Sequence, residues 1–259
     1  SYFATQYDVF AYALRADSLQ RAQQADKKNA GAGLSGAYAT LLGRLYPNLA
    51  TASRYFLGKE KWNEAARYAK MTLEARHTPL MAQRPPQLSP MLEMQNAEDY
   101  LYAGYAAGHF DEATRYVELA LRDSVHRSTV LHTLALNYEA ARKPDEFFSL
   151  LKRGVREYPD DDFFFKKLTE EYFRRNKERE LLACIDSLLP LRMKKAVLYD
   201  AQAEVYDRLR KDTLCLQAAQ NLQKVDSGNA RADYFIGKAY VQRAKSILLP
   251  TSIKAPGYM

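Results

Sequence analysis

The segment Leu136–Pro190, LNYEAARKPDEFFSLLKRGVREYPDDDFFFKKLTEEYFRRNKERELLACIDSLLP, carries two tyrosines, Tyr138 and Tyr172, each followed by a short charged turn and a second apolar run. The interval between them recurs unchanged outside the segment, from Tyr172 to Tyr206 and from Tyr206 to Tyr240. One period upstream, Gly104 takes the place of the tyrosine and Tyr105 follows it. Three positions before each of these sit Leu101, Ala135, Thr169, Ala203 and Gly237, small in all but the first case, as a close approach of two helices requires. Tyr100, Leu134, Leu168, Gln202 and Ile236 form another row in the same register. Ala113, Phe147, Leu181 and Cys215 form the next, and Val117, Leu151, Ile185 and Ala219 the last. One tyrosine series arises easily by chance. Several rows in one register point to stacked helix pairs, whose shared core needs the same contact residues at the same place in every pair.

Composition agrees with a folded chain. Of 259 residues, 47% are hydrophobic and 27% charged, which fits neither a membrane protein nor a disordered segment. The formal charge of +7, from 38 basic and 31 acidic residues, permits attraction to an acidic partner without specifying nucleic acid. No apolar run approaches the roughly 20 residues that span a bilayer. Two cysteines exclude a disulfide-rich scaffold. No basic-plus-apolar leader is evident, so the expectation is a soluble chain or soluble domain without a retained signal peptide, in an unspecified compartment.

These rows resemble tetratricopeptide repeats, whose period of about 34 residues is the interval of the tyrosine series. The resemblance implies an all-α fold, a right-handed superhelical solenoid of antiparallel helix pairs. It covers residues 94–246 as consecutive units, the last incomplete. GHFDEATRYVELAL, Gly108–Leu121, is the best short match, with Gly108 at the turn, Phe110 and Ala113 packing, and Ala120 at the close contact of the second helix. RKPDEFFSLLKRGVREYP, Arg142–Pro159, is the next, with Phe147 where a small residue is usual. The following units place Asn176 and Arg210 in the turn and have no glycine there. An earlier unit over 46–79 aligns Phe56, Trp62, Ala65, Ala69 and Leu73, with its helices separated around Glu60. Between the two stretches, residues 80–93 form an insertion in which Pro85, Pro86 and Pro90 predict a linker or protruding loop.

Residues 1–45 read as divergent N-terminal capping helices. Phe3, Tyr7, Phe10 and Leu14 give Tyr2–Lys28 an amphipathic pattern, Asn29–Gly36 is a turn-rich break, and a shorter helix over Ala37–Tyr46 is expected to stop before Pro47. Residues 247–259, with Pro250 and Pro256, are a C-terminal tail.

Nothing in the chain spells out a reaction. His126 and His132 lack neighbouring cysteines or a carboxylate pattern that would define a metal site. Cys184 and Cys215 fall on packing segments and read as small buried residues. GAGLSG at Gly31–Gly36 lacks the lysine and hydroxyl of a phosphate loop and reads as a turn. Asp160, Asp161 and Asp162 suit helix capping, and Glu170 and Glu171 suit surface pairing with Lys166, Lys167, Arg174 and Arg175. No catalytic residue, cofactor or metal is expected.

The first helices of such pairs line a concave face that can hold an extended peptide. The resemblance assigns to that face Glu98, Tyr102 and Tyr105, then Lys166, Glu170, Phe173 and Arg174, then Asp200, Glu204, Asp207 and Arg208, and finally Tyr234 and Lys238. One branch of the family captures a peptide's terminal carboxylate with recurring lysine, arginine and asparagine. Here the matching pairs are Glu98 with Tyr102, His132 with Leu136, Lys166 with Glu170 and Asp200 with Glu204, so such a clamp is not expected. The expectation is a non-enzymatic scaffold binding a protein or internal peptide segment. A continuation domain, or self-association through an exposed terminal edge, would complete it. The alternatives are an electrostatic nucleic-acid-binding module, which the acids in KKLTEEYFRRNKERE disfavour, and an enzyme with an unrecognised surface site. If Tyr172 is a core plug, Tyr172→Ala costs about 2 to 4 kcal/mol in urea denaturation, and a loss below about 0.5 kcal/mol refutes the packing.

Overall fold

The computed structural model describes residues 2–25, 36–83, 85, 89–191 and 193–248. All regular structure among them is helical, apart from irregular turns. The chain divides into two compact units, 1–147 and 148–259.

The first unit holds α1 (Tyr2–Ala25), α2 (Gly36–Leu57), α3 (Trp62–Ala75), the short α4 (Pro79–Ala82), α5 (Pro90–Ala106), α6 (Phe110–Ala113), a 3₁₀ turn (Thr114–Tyr116), α7 (Val117–Ala120) and α8 (Arg127–Ala140). α9 (Pro144–Glu157) runs through the boundary, and the second unit continues with α10 (Asp162–Arg174), α11 (Glu178–Leu188), α12 (Ala196–Arg208), α13 (Asp212–Val225) and α14 (Ala230–Leu248). Each unit is built of paired antiparallel helices. α2 packs on α3 and α5 on α6 and α7 in the first, while α10 packs on α11 and α12 on α13 in the second.

One backbone device makes five helix pairs among the described residues. Glu60, Gly108, Arg142, Asn176 and Arg210 all adopt a left-handed conformation, with φ between 53° and 79°. The last four are spaced by the same interval as the tyrosines, and Glu60 precedes Gly108 by that interval plus the length of the 80–93 segment. At each, the following amide reaches back to a carbonyl near the end of the first helix. Lys61 N–H donates to Phe56 O, His109 to Gly104 O, Lys143 to Tyr138 O, Lys177 to Tyr172 O and Lys211 to Tyr206 O, at 2.8 to 3.0 Å. The left-handed residue itself donates to the carbonyl three back, which completes a Schellman closure of the first helix. The tyrosine interval is therefore the interval of the helix-closing carbonyl. Gly104 departs from tyrosine because a methyl there would come within 2.6 Å of Ala113 Cβ, so α5 and α6 touch backbone to side chain at that point.

Most positions of the packing rows are buried, with Thr169 and Gln202 half-buried and Gly237 exposed. Ala65, Ala113, Phe147, Leu181 and Cys215 are at most 3% exposed, and Leu101, Ala135 and Ala203 are fully covered. Tyr172 is buried edge-on against Phe148, with centroids 5.2 Å apart, and burial pushes its phenol up to about 12. Tyr138 and Tyr206 are half-buried. In the first unit Phe10 joins Leu42, Tyr46, Leu49 and Tyr68 in one core, with Phe3, Tyr7 and Leu14 packed on it.

Three sequence expectations change. The helix expected over Ala37–Tyr46 does not stop at Pro47: α2 continues to Leu57, and the unit expected to begin near 46 shares a helix with the residues before it. Leu42, Tyr46, Leu49 and Ser53 bury one face on both sides of the proline, Tyr46 donates to Thr72 O, and Ser53 donates to Ala65 O at 3.0 Å. That burial outweighs the roughly 3 kcal/mol cost of an internal proline. Within the expected linker 80–93, Leu80 and Met81 are fully buried on α4, which Thr78 caps, and Pro90 opens α5 behind a Ser89 cap. Proline at the first helical position loses no hydrogen bond. Finally, Glu171 is not on the surface but 1% exposed. The turn read at Gly31–Gly36 and the tail from 249 lie outside the described residues, apart from Gly36 itself, which opens α2.

The left-handed turns predict opposite signs for exchange at equivalent positions. Arg142→Gly and Arg210→Gly are expected to stabilise the fold by about 0.5 kcal/mol, whereas Gly108→Ala costs about 1 kcal/mol, all read from urea midpoints.

Candidate functional site

In the second unit, α10, α12 and the first turn of α14 enclose a groove of about 500 Å³. Helical spacing puts its residues on single stripes: Lys166, Glu170 and Phe173 at i, i+4 and i+7 of α10, and Val197, Asp200, Ala201, Glu204 and Arg208 along α12. Asp161 starts α10 by accepting from Phe163 N–H at 3.0 Å, and Asn229 fixes the first turn of α14 by accepting from Arg231 N–H at 3.1 Å. Phe165 and Ala201 are buried in the floor, and Val197 and Phe173 are half-buried beside them.

The charges interlock. Arg231 donates to Asp200 Oδ1 at 2.6 Å and to Glu204 Oε2 at 2.8 Å, while Arg208 donates to Glu204 Oε1 at 3.1 Å. Both oxygens of Glu204 are thus occupied by guanidinium groups. Partial burial works against the charge of Arg231, but the hydrogen bonds and charges of Asp200 and Glu204 outweigh it and raise its pKa above the ordinary arginine value. The Arg208 guanidinium also lies 3.9 Å from the centre of the Phe173 ring, a cation–π contact over one face of the ring. Lys166 is exposed and makes no ion pair among the described residues, and the buried Thr169 hydroxyl in the lining has no hydrogen-bond partner among them. A ligand would meet an apolar floor and one uncommitted ammonium, with the Thr169 hydroxyl covered beneath them.

The groove brings together Lys166, Glu170, Phe173, Glu204 and Arg208. Two other candidates of the same unit lie outside its lining. Arg174 is turned to the buried Glu171, at 2.7 Å from Oε1 as an ion pair without hydrogen-bond alignment, while Arg175 takes Oε2 at 3.4 Å. Lys238 donates to Asp207 at 2.6 Å, an interaction that raises its pKa. Tyr102 and Tyr105 belong to the first unit, where exposed Tyr102 meets Trp62 edge-on at 5.8 Å and Tyr105 tilts against Phe110 at 6.3 Å. Sequence reasoning missed Arg231 and Thr169. Arg231 has no periodic counterpart, since Val197 occupies its place one repeat earlier, and the only hint of it was the unbalanced carboxylate pair Asp200 and Glu204.

Elsewhere the reactive residue types are tied into structure. Burial pushes the Cys184 and Cys215 thiols up to about 11, so neither forms much thiolate at neutral pH. His126 stands 3.1 Å from Asp123 and 3.5 Å from Glu98. Among the described residues no group of three or more His, Cys, Asp or Glu side chains is placed to hold a metal ion, and no helix is long and apolar enough to cross a membrane.

No protein-family model matches the chain, and no curated protein does. Among solved structures it is similar to MamA of AMB-1, with 16% identity and a TM-score of 0.47 over 74% of this chain and 95% of that one. It is also similar to a tetratricopeptide repeat protein from Parabacteroides merdae ATCC 43184, with 11% identity and a TM-score of 0.37 over 92% and 96% of the two chains. A further similarity is to the TPR2AB domain of yeast Sti1 in complex with pHSP90, with 11% identity and a TM-score of 0.34 over 79% and 86%. The helix-pair architecture described above rests on its own turns and packing rows.

Arg174, assigned from sequence to the concave binding face, serves a buried carboxylate. Arg174→Ala is expected to cost about 1 kcal/mol, and R174A/R175A about 3 kcal/mol, because only the double variant strips Glu171 of both partners. Urea denaturation of the three proteins checks the order.

Proposed function

We propose that this chain is a non-enzymatic helical-repeat scaffold that positions a protein partner by holding an extended internal segment of it in the groove of α10, α12 and α14. The single observation that carries the reading is the division of labour in that groove. Asp200 and Glu204 are neutralised within the fold by Arg208 and Arg231, while exposed Lys166 and the half-buried Phe173 ring are left to meet a ligand. A peptide that lays an apolar or aromatic side chain on Phe173, Val197 and Ala201 and sets a carboxylate near Lys166 satisfies both. Crossing three successive first helices favours an extended chain over a compact ligand. Glu170, exposed on α10 beside Lys166, works against a nucleic-acid backbone.

Selection of peptides from a random display library on the immobilised full chain tests the proposal. Enriched sequences should pair an aromatic with an acidic residue. Phe173→Ala and Lys166→Glu should each weaken a selected peptide about tenfold or more, while Arg179→Ala, on the surface of α11, changes nothing. Failure to enrich any sequence, or binding indifferent to both groove variants, defeats the assignment.

A further inference from the structure

A second cavity, of about 380 Å³, lies in the second unit among α9, α10 and α11. Leu168 and Tyr172 of α10 line it, on the side of that helix opposite Lys166, Glu170 and Phe173, so it is separate from the groove. Val155, Leu168 and Leu188 give it apolar walls. No carboxylate among the described residues lines it, whereas Lys152 and Arg156, one turn apart on α9, both do. Both are exposed, and neither makes an ion pair among the described residues.

The Lys152 ammonium lies 4.3 Å from the centre of the Phe148 ring, the same ring that Tyr172 meets edge-on. Its charge also reaches Cys184 in the lining. Tyr172 is 6% exposed, and its hydroxyl makes no hydrogen bond among the described residues while staying open to the cavity rather than sealed beneath it. Burial keeps this phenol and the Cys184 thiol protonated, so neither adds negative charge at neutral pH. Glu180, whose charge reaches Tyr172, is itself paired with Lys177 at 2.8 Å.

Repeat packing does not account for the two cations. One interval before Lys152 stands Glu118 and one after it Asp186, while Arg122 and Pro190 take the places of Arg156. The same helix pair is thus built with an acid at the lysine's position, and of these three units only this one sets both cations beside an unspent phenol. We propose that this cavity binds a phosphomonoester, with the phosphate seated among Lys152, Arg156 and the Tyr172 hydroxyl and a small apolar body resting on Val155, Leu168 and Leu188. A phosphomonoester carries a charge of about −1.5 to −2 at neutral pH, which two cations match. It also offers more acceptor oxygens than a carboxylate, enough for the Tyr172 and Ser149 hydroxyls besides the ammonium and the guanidinium. The volume is at the small end of the range for small-molecule sites, so the ligand is a small ester rather than a phosphorylated protein.

Isothermal titration calorimetry of the full 259-residue chain with phenyl phosphate measures the binding. The expected result is saturable binding with a dissociation constant of about 100 µM. Inorganic phosphate, which lacks the apolar body, and phenyl sulfate, which carries less charge, each bind about tenfold more weakly. Lys152→Gln and Arg156→Gln each weaken phenyl phosphate about tenfold, and Tyr172→Phe, which keeps the ring on Phe148, about fivefold. Urea midpoints close to the parent's show that these variants fold. Lys224→Gln, on the exposed surface of α13, removes the same charge elsewhere and leaves the affinity unchanged. Absence of saturable binding up to about 10 mM phenyl phosphate overturns the proposal. So does binding weakened as much by K224Q as by K152Q, which means general attraction to a basic chain, or binding indifferent to Y172F, which means that the phenol serves packing alone. Equal affinity for phenyl phosphate and phenyl sulfate also rejects it, since the cavity then takes any organic anion.

Discussion

A single left-handed residue between two helices, with the amide behind it that reaches back into the first helix, is the constraint on which the rest of this fold depends. It ends the first helix at a fixed carbonyl and reverses the chain within one short turn. The amide that closes the first helix belongs to Lys61, His109, Lys143, Lys177 or Lys211, and the carbonyl of that same residue accepts from Ala65, Ala113, Phe147, Leu181 or Cys215 in the second helix. One residue is therefore pinned to both helices. Once it is placed, the first residues of the second helix must face the last turn of the first, and the apolar rows recur because the turn recurs. Side chains are left to adjust the distance between helices, as Gly104 does against Ala113.

This explains what could be read from the sequence. The pair turns at Glu60, Gly108, Asn176 and Arg210 are legible without a consistent residue type, because the ruler that locates them is the helix-closing position, which in most units carries an aromatic ring. Features that depend on contacts far apart in sequence are harder. That α2 runs through Pro47 is decided by burial against Phe10 and by hydrogen bonds to α3, none of which leaves a local mark. The burial of Glu171 is hidden because an acid flanked by arginines at helical spacing looks the same on a surface as beneath one. Arg231 is invisible for a related reason. Its partners lie 31 and 27 residues away at no repeating interval, so periodicity carries no trace of it.

The groove of the second unit shows how a repeat of modest polarity acquires a specific surface. Stacked first helices project one residue stripe each, and here Arg231 of α14 and Arg208 of α12 together satisfy the acids Asp200 and Glu204 of α12. What is left over, an ammonium and an aromatic face, is a small remainder of chemistry on a neutralised background. On the function proposed for it, such a surface would discriminate by the placement of a few groups rather than by net charge, and the overall +7 of the chain says little about it.

The chain contains one tryptophan, Trp62, at the start of α3 and edge-on to Tyr102. Every optical signal that is selective for indole thus originates in the first unit. The second unit, with its groove, carries only phenols and phenyl rings as chromophores. An unfolding curve recorded by tryptophan emission describes half of this molecule, and agreement or disagreement with a curve recorded by helical ellipticity becomes a direct readout of whether the two units melt together.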